Sequence, residues 1–389
     1  MRILMSGMEW PGRVHGGLQV YFAELARRLA QRQHRVTALV HGEVGVVAGG
    51  LRVVSCAPET AGPFRRALAF RRAARAISDD GIDLYNPHFA LSALGAVYGG
   101  LPRAVPVVCH FHGPWAEEGW IEDGARPGWH RPVALGRYAV KKLVERLAYR
   151  RCDRFVVLSD SSARLLRATC GVSRDRIAVI PGGVDLERFR PADDIREVRR
   201  RLGLPDGRPL LLTVRRLVPR MGLDGLIGAM ADVVRRTPEA LLLIGGEGPA
   251  RGALERRVAA LGLGATVRFL GRVPDDRLAA LLAAADLAVV PSTALEGFGL
   301  ATLEALACGT PVVGTPVGAT PEVLSGLEPR LVCDDASAEA LSAKLAEALG
   351  APAWLPSRAA CRAYAGRYDW DRIVPRVEAV FRDARRGTA

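Results

Sequence analysis

Short apolar runs alternate with longer amphipathic stretches along the whole chain, and they do so in two series. The first series is RILM, RVTALV, LRVVSC, DLYN, AVPVVCH, FVVLS and IAVI, separated by helical stretches such as VYFAELARRLAQRQ. The second is PLLLTVRRL, ALLLIGG, TVRFLG, LAVVPS and PVVGT. That alternation is expected of doubly wound parallel sheets, so the fold class is α/β. At 389 residues the chain is long for one core and fits two domains of ordinary size. The stretch PGGVDLERFRPADDIREVRRRLGLPDGRP is polar and carries Gly and Pro, which places the boundary near residues 185–208. We therefore expect one domain over 1–190 and a second over 191–369. A final amphipathic helix is expected over about 370–386. Ligands of such sheets bind at the carboxyl ends of the strands.

Composition narrows the setting. Hydrophobic residues make up 49% of the chain, enough for two buried sheets, yet no apolar run reaches transmembrane length. The opening MRILMSGMEWPG is too brief for a signal peptide and reads as a first strand entering a loop. Seven cysteines, at 56, 109, 152, 170, 308, 333 and 361, are scattered without zinc spacing and read as reduced packing residues of a cytoplasmic protein. The net charge of +13 sits mostly in the first half, where 28 Lys/Arg face 17 Asp/Glu over residues 1–190. Two amphipathic stretches hold much of it: Arg65, Arg66, Arg71, Arg72 and Arg75, then Arg137, Lys141, Lys142, Arg146, Arg150 and Arg151. These are either a solvated, arginine-rich surface or a peripheral contact for an anionic membrane or acidic acceptor. Nucleic acid is not an expected partner, because no aromatic-interleaved platform accompanies the charge.

The stretch PSTALEGFGLATLEALACGTPVV, residues 291–313, carries the most about function. A buried strand ends at Pro291, a Gly-Phe-Gly turn follows, and LATLEALAC forms a short helix closed by Gly309 and Pro311. The free amides at such a helix start suit an anion. Glu296 lies in the loop and Glu304 about one turn into the helix, and two carboxylates beside a phosphate site suggest recognition of hydroxyl groups.

This stretch resembles the E-x7-E signature of retaining GT-B glycosyltransferases of family 4, P-S-x-x-E-G-F-G-L-x-x-L-E-A-x-A-C-G-T-P-V-V, almost letter for letter. The resemblance covers nearly the whole chain, strongest over about 205–325 and weak over 40–105 and 115–150. It implies two Rossmann-like domains facing across a cleft, with the final helix crossing back onto the first. The second domain would hold a nucleotide-diphosphate sugar, UDP- or GDP-linked, and the first an acceptor. By resemblance Glu304 bonds the ribose, Glu296 lies near the sugar hydroxyls, and the amides of Phe298, Gly299 and Leu300 hold sugar and phosphate.

TVRRLVPRMGLDGLI, residues 213–227, resembles the family's G-R-L-x-x-x-K-G motif, whose Arg and Lys clamp the diphosphate. Arg216 and Gly222 align, but Arg215 replaces the Gly and Met221 replaces the Lys. Arg220 or Arg215 is then the candidate substitute cation. The turn at Gly245, Gly246 and Gly248 would pass beneath the nucleotide, and the backbone of Gly271, Arg272 and Val273 would hold the base. In the first domain Gly16 and Gly17 resemble the family's glycine loop near the diphosphate. In PVVCHFHGPWAEEGW, residues 106–120, His112 aligns with the family's histidine near the transferred sugar. His110 is expected to face the other way as a packed core histidine. His88 and Trp115 are candidates for the acceptor side.

The reaction so implied is sugar transfer by front-face attack with retained stereochemistry. The leaving phosphate takes the acceptor's proton, with no covalent nucleophile, resident cofactor or divalent metal. Arg216, Glu296 and His112 are the expected catalytic residues. Acceptor identity is open among a glycan, a lipid-linked intermediate and a secondary metabolite. Two alternatives stand: a nucleotide-sugar epimerase or phosphorylase on the same fold, and a non-catalytic sugar-nucleotide binder, which Met221 alone supports.

Overall fold

The computed structural model describes residues 1–11, 16–42, 44, 49–78, 81–124 and 131–387. It divides into two compact units, Met1–Gly182 with Trp370–Ala389, and Gly183–Asp369. In the first unit the strands are β1 (Arg2–Glu9), β2 (Arg35–His41), β3 (Leu51–Ala57), β4 (Leu84–Pro87), β5 (Val108–Phe111), β6 (Arg154–Val157) and β7 (Ile177–Val179). They pair in the orders β3-β2-β1-β4 and β5-β6-β7. A parallel bridge from Tyr85 to Val107 joins the two groups, and Tyr85 N donates to Pro106 O at 2.9 Å. Every pairing is parallel. Strands covered on both faces must be apolar throughout, which is why Ile3, Leu4 and Met5 of β1 are consecutive and all buried.

The helix Gly17–Gln31 lays Tyr21, Phe22, Leu25, Ala26 and Leu29 onto this sheet at helical spacing. The last helix, Trp370–Arg386, buries Trp370, Ile373, Val374, Val377 and Phe381 in the same unit. Its one buried carboxylate, Glu378, receives both Nε (2.7 Å) and Nη2 (3.1 Å) of Arg32, and His34 Nε2 lies 3.0 Å away. Burial opposes ionisation of Glu378, but these partners outweigh it and hold the carboxyl below its ordinary range. The tail of the chain thus closes onto the turn that follows the first helix.

The second unit has β8 (Leu210–Val214), β9 (Leu241–Gly245), β10 (Val267–Gly271), β11 (Leu287–Val290) and β12 (Val312–Gly314), all parallel in the order β10-β9-β8-β11-β12. Leu211, Leu242, Ile244, Val289 and Val313 form its core with residues of the helices Leu223–Arg236 and Ala338–Gly350. In each unit strand order reverses beside the first strand, between β1 and β4 and between β8 and β11. The connections leave those neighbours on opposite faces, so their carboxyl ends open a crevice where a ligand fits. Both crevices fall on residues singled out in the sequence.

Candidate functional site

In the second unit the crevice is lined from β8 and β11. Arg215 and Arg216 directly follow β8, and Pro219–Met221 makes one 3-10 turn before the helix that starts at Leu223. From the other side, Ser292 to Glu296 follow β11. Arg215 Nη2 donates to Glu296 Oε2 at 2.7 Å, and Ser292 Oγ donates to the same oxygen at 2.6 Å. Arg220 Nη1 donates to Leu295 O at 3.1 Å, while Thr293 N donates to Arg220 O at 2.9 Å. Leu295 has φ 53, a conformation that is costly for a side-chain-bearing residue and persists only where surroundings impose it. Burial acts against the Glu296 anion, but the charge of Arg215, the bonds from Ser292 and Arg215, and the charge of Arg220 prevail. The carboxyl is held below its usual range and is ionised at neutral pH.

Gly222 and Gly246 are required here by contact with backbone. Gly222 has φ 70, and a Cβ on it would lie 1.7 Å from the carbonyl oxygen of Pro291. A Cβ on Gly246 (φ 124) would lie 1.9 Å from the carbonyl oxygen of Arg215. Gly246 N also donates to Gly271 O at 2.7 Å, which brings the loop after β9 to the end of β10. Arg272 beyond it is exposed and Val273 half-buried. Gly299, at φ 81, starts the helix Leu300–Ala307, and Phe298 packs on Tyr368 with ring centroids 6.1 Å apart. Glu304 lies one turn into that helix, and burial pushes its carboxyl up to about 7, with Arg188 opposing and Asp275 adding to the rise. Arg216 is exposed.

Met221 is buried in the apolar cluster with Leu217, Val218 and Leu223. A lysine there must lift an ammonium out of an apolar setting or leave it without water. Met221→Lys should therefore cost about 1–3 kcal/mol, several degrees of melting temperature for a unit of this size, with no gain in turnover. A thermal melt beside an initial-rate assay checks both, and a clear rise in turnover would show that the site lacks a cation.

In the first unit the crevice gathers imidazoles. Gly16 is the extended residue preceding the helix that begins at Gly17. His88 follows β4, and its backbone N donates to Ser6 O of β1 at 2.8 Å. His88 Nδ1 lies 2.9 Å from His112 Nε2, and His88 Nε2 lies 2.9 Å from Asn86 Oδ1. Asn86 Nδ2 lies 2.8 Å from His110 Nδ1 and donates to Val108 O at 2.5 Å. Tyr21 packs against all three rings at centroid distances of 5.9, 5.5 and 5.2 Å to His88, His110 and His112.

His110 is buried, as expected, but it does not face away from His112. Its ring stacks on His88 at 4.4 Å and lies within 18° of parallel with His112. The physical reason is the strand period of two, which returns residues 110 and 112 to the same face. Burial holds the His112 imidazole down to about 3, and burial with the neighbouring rings holds His88 and His110 well below their ordinary value. All three are neutral. Trp115 opens the helix Trp115–Gly124, edge-on to Phe89 at 5.1 Å with Lys141 Nζ 5.3 Å from its ring centroid.

Sequence reasoning missed Asn86, Tyr21 and Ser292. The signal for Asn86 was its place two residues before His88 at a strand end, on the same face. Among the described residues no group of three or more His, Cys, Asp or Glu side chains is placed to hold a metal, and no helix is long and apolar enough to cross a membrane. The seven cysteines are free.

Comparison with known proteins agrees with this architecture. Residues 15–188 match the family described as Glycosyltransferase Family 4, and residues 194–367 match Glycosyl transferases group 1. The chain is 32% identical to the D-inositol 3-phosphate glycosyltransferase of Nocardiopsis dassonvillei, over 97% of this chain and 92% of that protein. It is 36% identical to the protein of that name from Segniliparus rotundus, over 61% of this chain and 54% of that one. Among solved structures, sucrose-phosphate synthase from Thermosynechococcus elongatus superposes with a TM-score of 0.82 at 23% identity, over 98% of this chain and 99% of that one. Anabaena HepE in complex with UDP-glucose superposes with a TM-score of 0.79 at 20% identity, over 98% and 100%. Two Rossmann-like units with these matches define a glycosyltransferase of the GT-B fold class. The chain belongs to glycosyltransferase family 4.

Proposed function

We propose that this enzyme moves a sugar from a UDP- or GDP-linked donor to an acceptor hydroxyl, retaining the anomeric configuration and needing no divalent metal. The observation that carries the reading is the set of arginines at the β8/β11 crevice: Arg215 bonded to Glu296, Arg220 bonded to Leu295 O, and Arg216 exposed between them. A departing diphosphate gains negative charge, and fixed cations at that point lower the barrier in the way a metal otherwise would. Arg215 or Arg220, at the two ends of the same turn, would supply the charge that Met221 lacks. Glu304 would accept from the ribose, the helix start at Phe298, Gly299 and Leu300 would face the phosphates, and the backbone of Gly246 and Gly271 to Val273 would seat the nucleoside. The Anabaena protein's UDP-glucose complex supports a donor of this class.

Glu296 is engaged by Arg215 and Ser292 through the one oxygen. A carboxylate so held suits a hydroxyl acceptor better than a covalent nucleophile, which supports retention by front-face attack. The first unit would supply His112 to a sugar hydroxyl and Gly16 and Gly17 near the diphosphate, with Trp115 on the acceptor side and the buried His88 behind His112. We place the enzyme in the cytoplasm, in peripheral contact with an anionic membrane surface. The helix Arg131–Arg150 supports that contact: Val133, Val140 and Leu143 are exposed along one face, flanked by Arg137, Arg146 and Arg150.

Thermal unfolding with UDP, GDP, ADP and dTDP, each with magnesium and with EDTA, tests the donor assignment. One nucleotide at a hundred times its Kd should stabilise by about 2.7 kcal/mol, several degrees at this size, equally in EDTA. A shift that needs magnesium would sink the metal-free reading, and no shift with any nucleotide would sink the donor site.

A further inference from the structure

We propose that Asn86 and His88 are positioning residues that fix the tautomer of His112, so that His112 meets the sugar through a bare Nδ1 and acts only as a hydrogen-bond acceptor. The inference rests on the reading that His112 contacts a sugar hydroxyl, and it adds which atom does so and which groups decide it.

The wiring starts from a backbone carbonyl, which has no proton to give. Val108 O lies 2.5 Å from Asn86 Nδ2, so that atom must be the amide nitrogen, since the flipped amide would set two acceptor oxygens against each other. Asn86 Oδ1 then faces His88 Nε2 at 2.9 Å as an acceptor, and His88 must carry its proton on Nε2. A neutral imidazole has one N–H, so His88 Nδ1 is a lone pair. It faces His112 Nε2 at 2.9 Å, and His112 must therefore carry its proton on Nε2. Nδ1 of His112 is left without a proton. Asn86 uses its second N–H on His110 Nδ1 at 2.8 Å, so both donors and the acceptor of the amide are engaged. Every proton in the chain is set in one direction, from Val108 O outward to the half-buried ring of His112.

Two structural features keep the chain from reversing. Asn86, His88 and His110 are buried, so water has little access to offer a competing partner. The rings are also clamped in orientation, because His88 stacks on His110 at 4.4 Å and Phe22 meets His88 edge-on at 5.0 Å. A ring flip of His88 would need both contacts broken. Among the described residues Nδ1 of His112 has no hydrogen-bond partner, which leaves it for a ligand. An acceptor-only contact selects a hydroxyl that donates, and it cannot bind a sugar carbon bearing fluorine or hydrogen in place of that hydroxyl.

Nitrogen-15 NMR of the full chain labelled at its seven histidines tests the wiring without any ligand. His112 is assigned by the signal lost in His112→Gln. The expected spectrum shows a protonated Nε2 and an unprotonated Nδ1 for His112, and the same tautomer for His88. His88→Phe keeps a stacked ring but removes the acceptor, and His112 should then exchange between both tautomers. Asn86→Leu should release His88 and His112 together, and the remaining histidine signals report whether each variant is folded. A protonated Nδ1 on His112 in the wild type, or an unchanged tautomer in folded His88→Phe, would overturn the proposal.

The sugar contact is read separately with deoxy and deoxyfluoro analogues of the UDP- or GDP-sugar that the nucleotide screen selects. At one ring position both replacements should lower kcat/KM about tenfold, equally, and the penalty should vanish in His112→Ala. If the spectrum is as expected but no position shows this pattern, the contact between His112 and sugar falls while the tautomer assignment stands. If fluorine is tolerated where hydrogen is not, the ring donates to the sugar and the proposal falls.

Discussion

Replacing Arg216 by alanine should lower turnover about a hundredfold while leaving the melting temperature almost unchanged. A charge-assisted hydrogen bond contributes about 1.5–3 kcal/mol, which corresponds to roughly ten- to a hundredfold in rate when the bond strengthens toward the transition state. Arg216 belongs at the upper end because the charge it would meet grows as the diphosphate departs. Its side chain is exposed at the carboxyl end of β8, so removing it empties no core. Arg216→Lys should recover part of the loss, since a point charge remains but the two-pronged guanidinium is gone. Initial rates with saturating donor, set beside a thermal melt, separate chemistry from folding. Near-normal turnover in Arg216→Ala would remove this residue from the site. Arg215 should behave differently, because Arg215→Ala also strips Glu296 of its partner at 2.7 Å and should cost stability as well as rate.

The second large effect belongs to Glu304. Burial pushes its carboxyl up to about 7, so near neutral pH a sizeable part of the unliganded protein carries a proton there. Ribose hydroxyls donate best to the anion and would draw the carboxyl back toward its ordinary range. Nucleotide binding near pH 7 should therefore release a fraction of a proton. Calorimetric titration in two buffers of different ionisation enthalpy reads that release, and Glu304→Gln should abolish it. Glu304→Ala should in addition lower turnover about a hundredfold, from the lost charge-assisted bonds.

The sign for folding is opposite to that of a paired carboxylate. Since the folded value lies above the unfolded one, the group favours the native state fully below about 4.5. That contribution is lost as pH rises toward about 7. Glu304→Gln should flatten the pH profile of stability across that window. Heats that do not depend on the buffer, or undiminished turnover in Glu304→Ala, would remove Glu304 from ribose binding.

Both sheets were legible in the sequence because strands covered on both faces must be written as uninterrupted apolar runs, and Ile3–Met5 and Leu241–Ile244 are such runs. The loop and helix from Pro291 to Gly309 were legible because glycine placement and the two glutamates mark a turn with a use. The pair between Arg215 and Glu296 was not. The two residues are 81 positions apart, and only the β8/β11 pairing brings them together. To a motif, which compares letters, Met221 is a missing cation, whereas burial among Leu217, Val218 and Leu223 gives it a packing role. The histidine cluster failed for a simpler cause. Residues two apart on a strand share a face, and Asn86 joins His88 to His110 only once β4 lies beside β5.

The close approaches at Gly222 and Gly246 separate what shapes the crevice from what reacts in it. Main chain meets main chain there: Gly222 faces the carbonyl of Pro291, and Gly246 faces the carbonyl of Arg215. No side chain stands between these segments, so exchanging the residues that project from them leaves the frame where it is. A glycine-to-alanine change at either contact would drive a Cβ into that carbonyl, so the crevice is fixed by two residues that take no part in its chemistry.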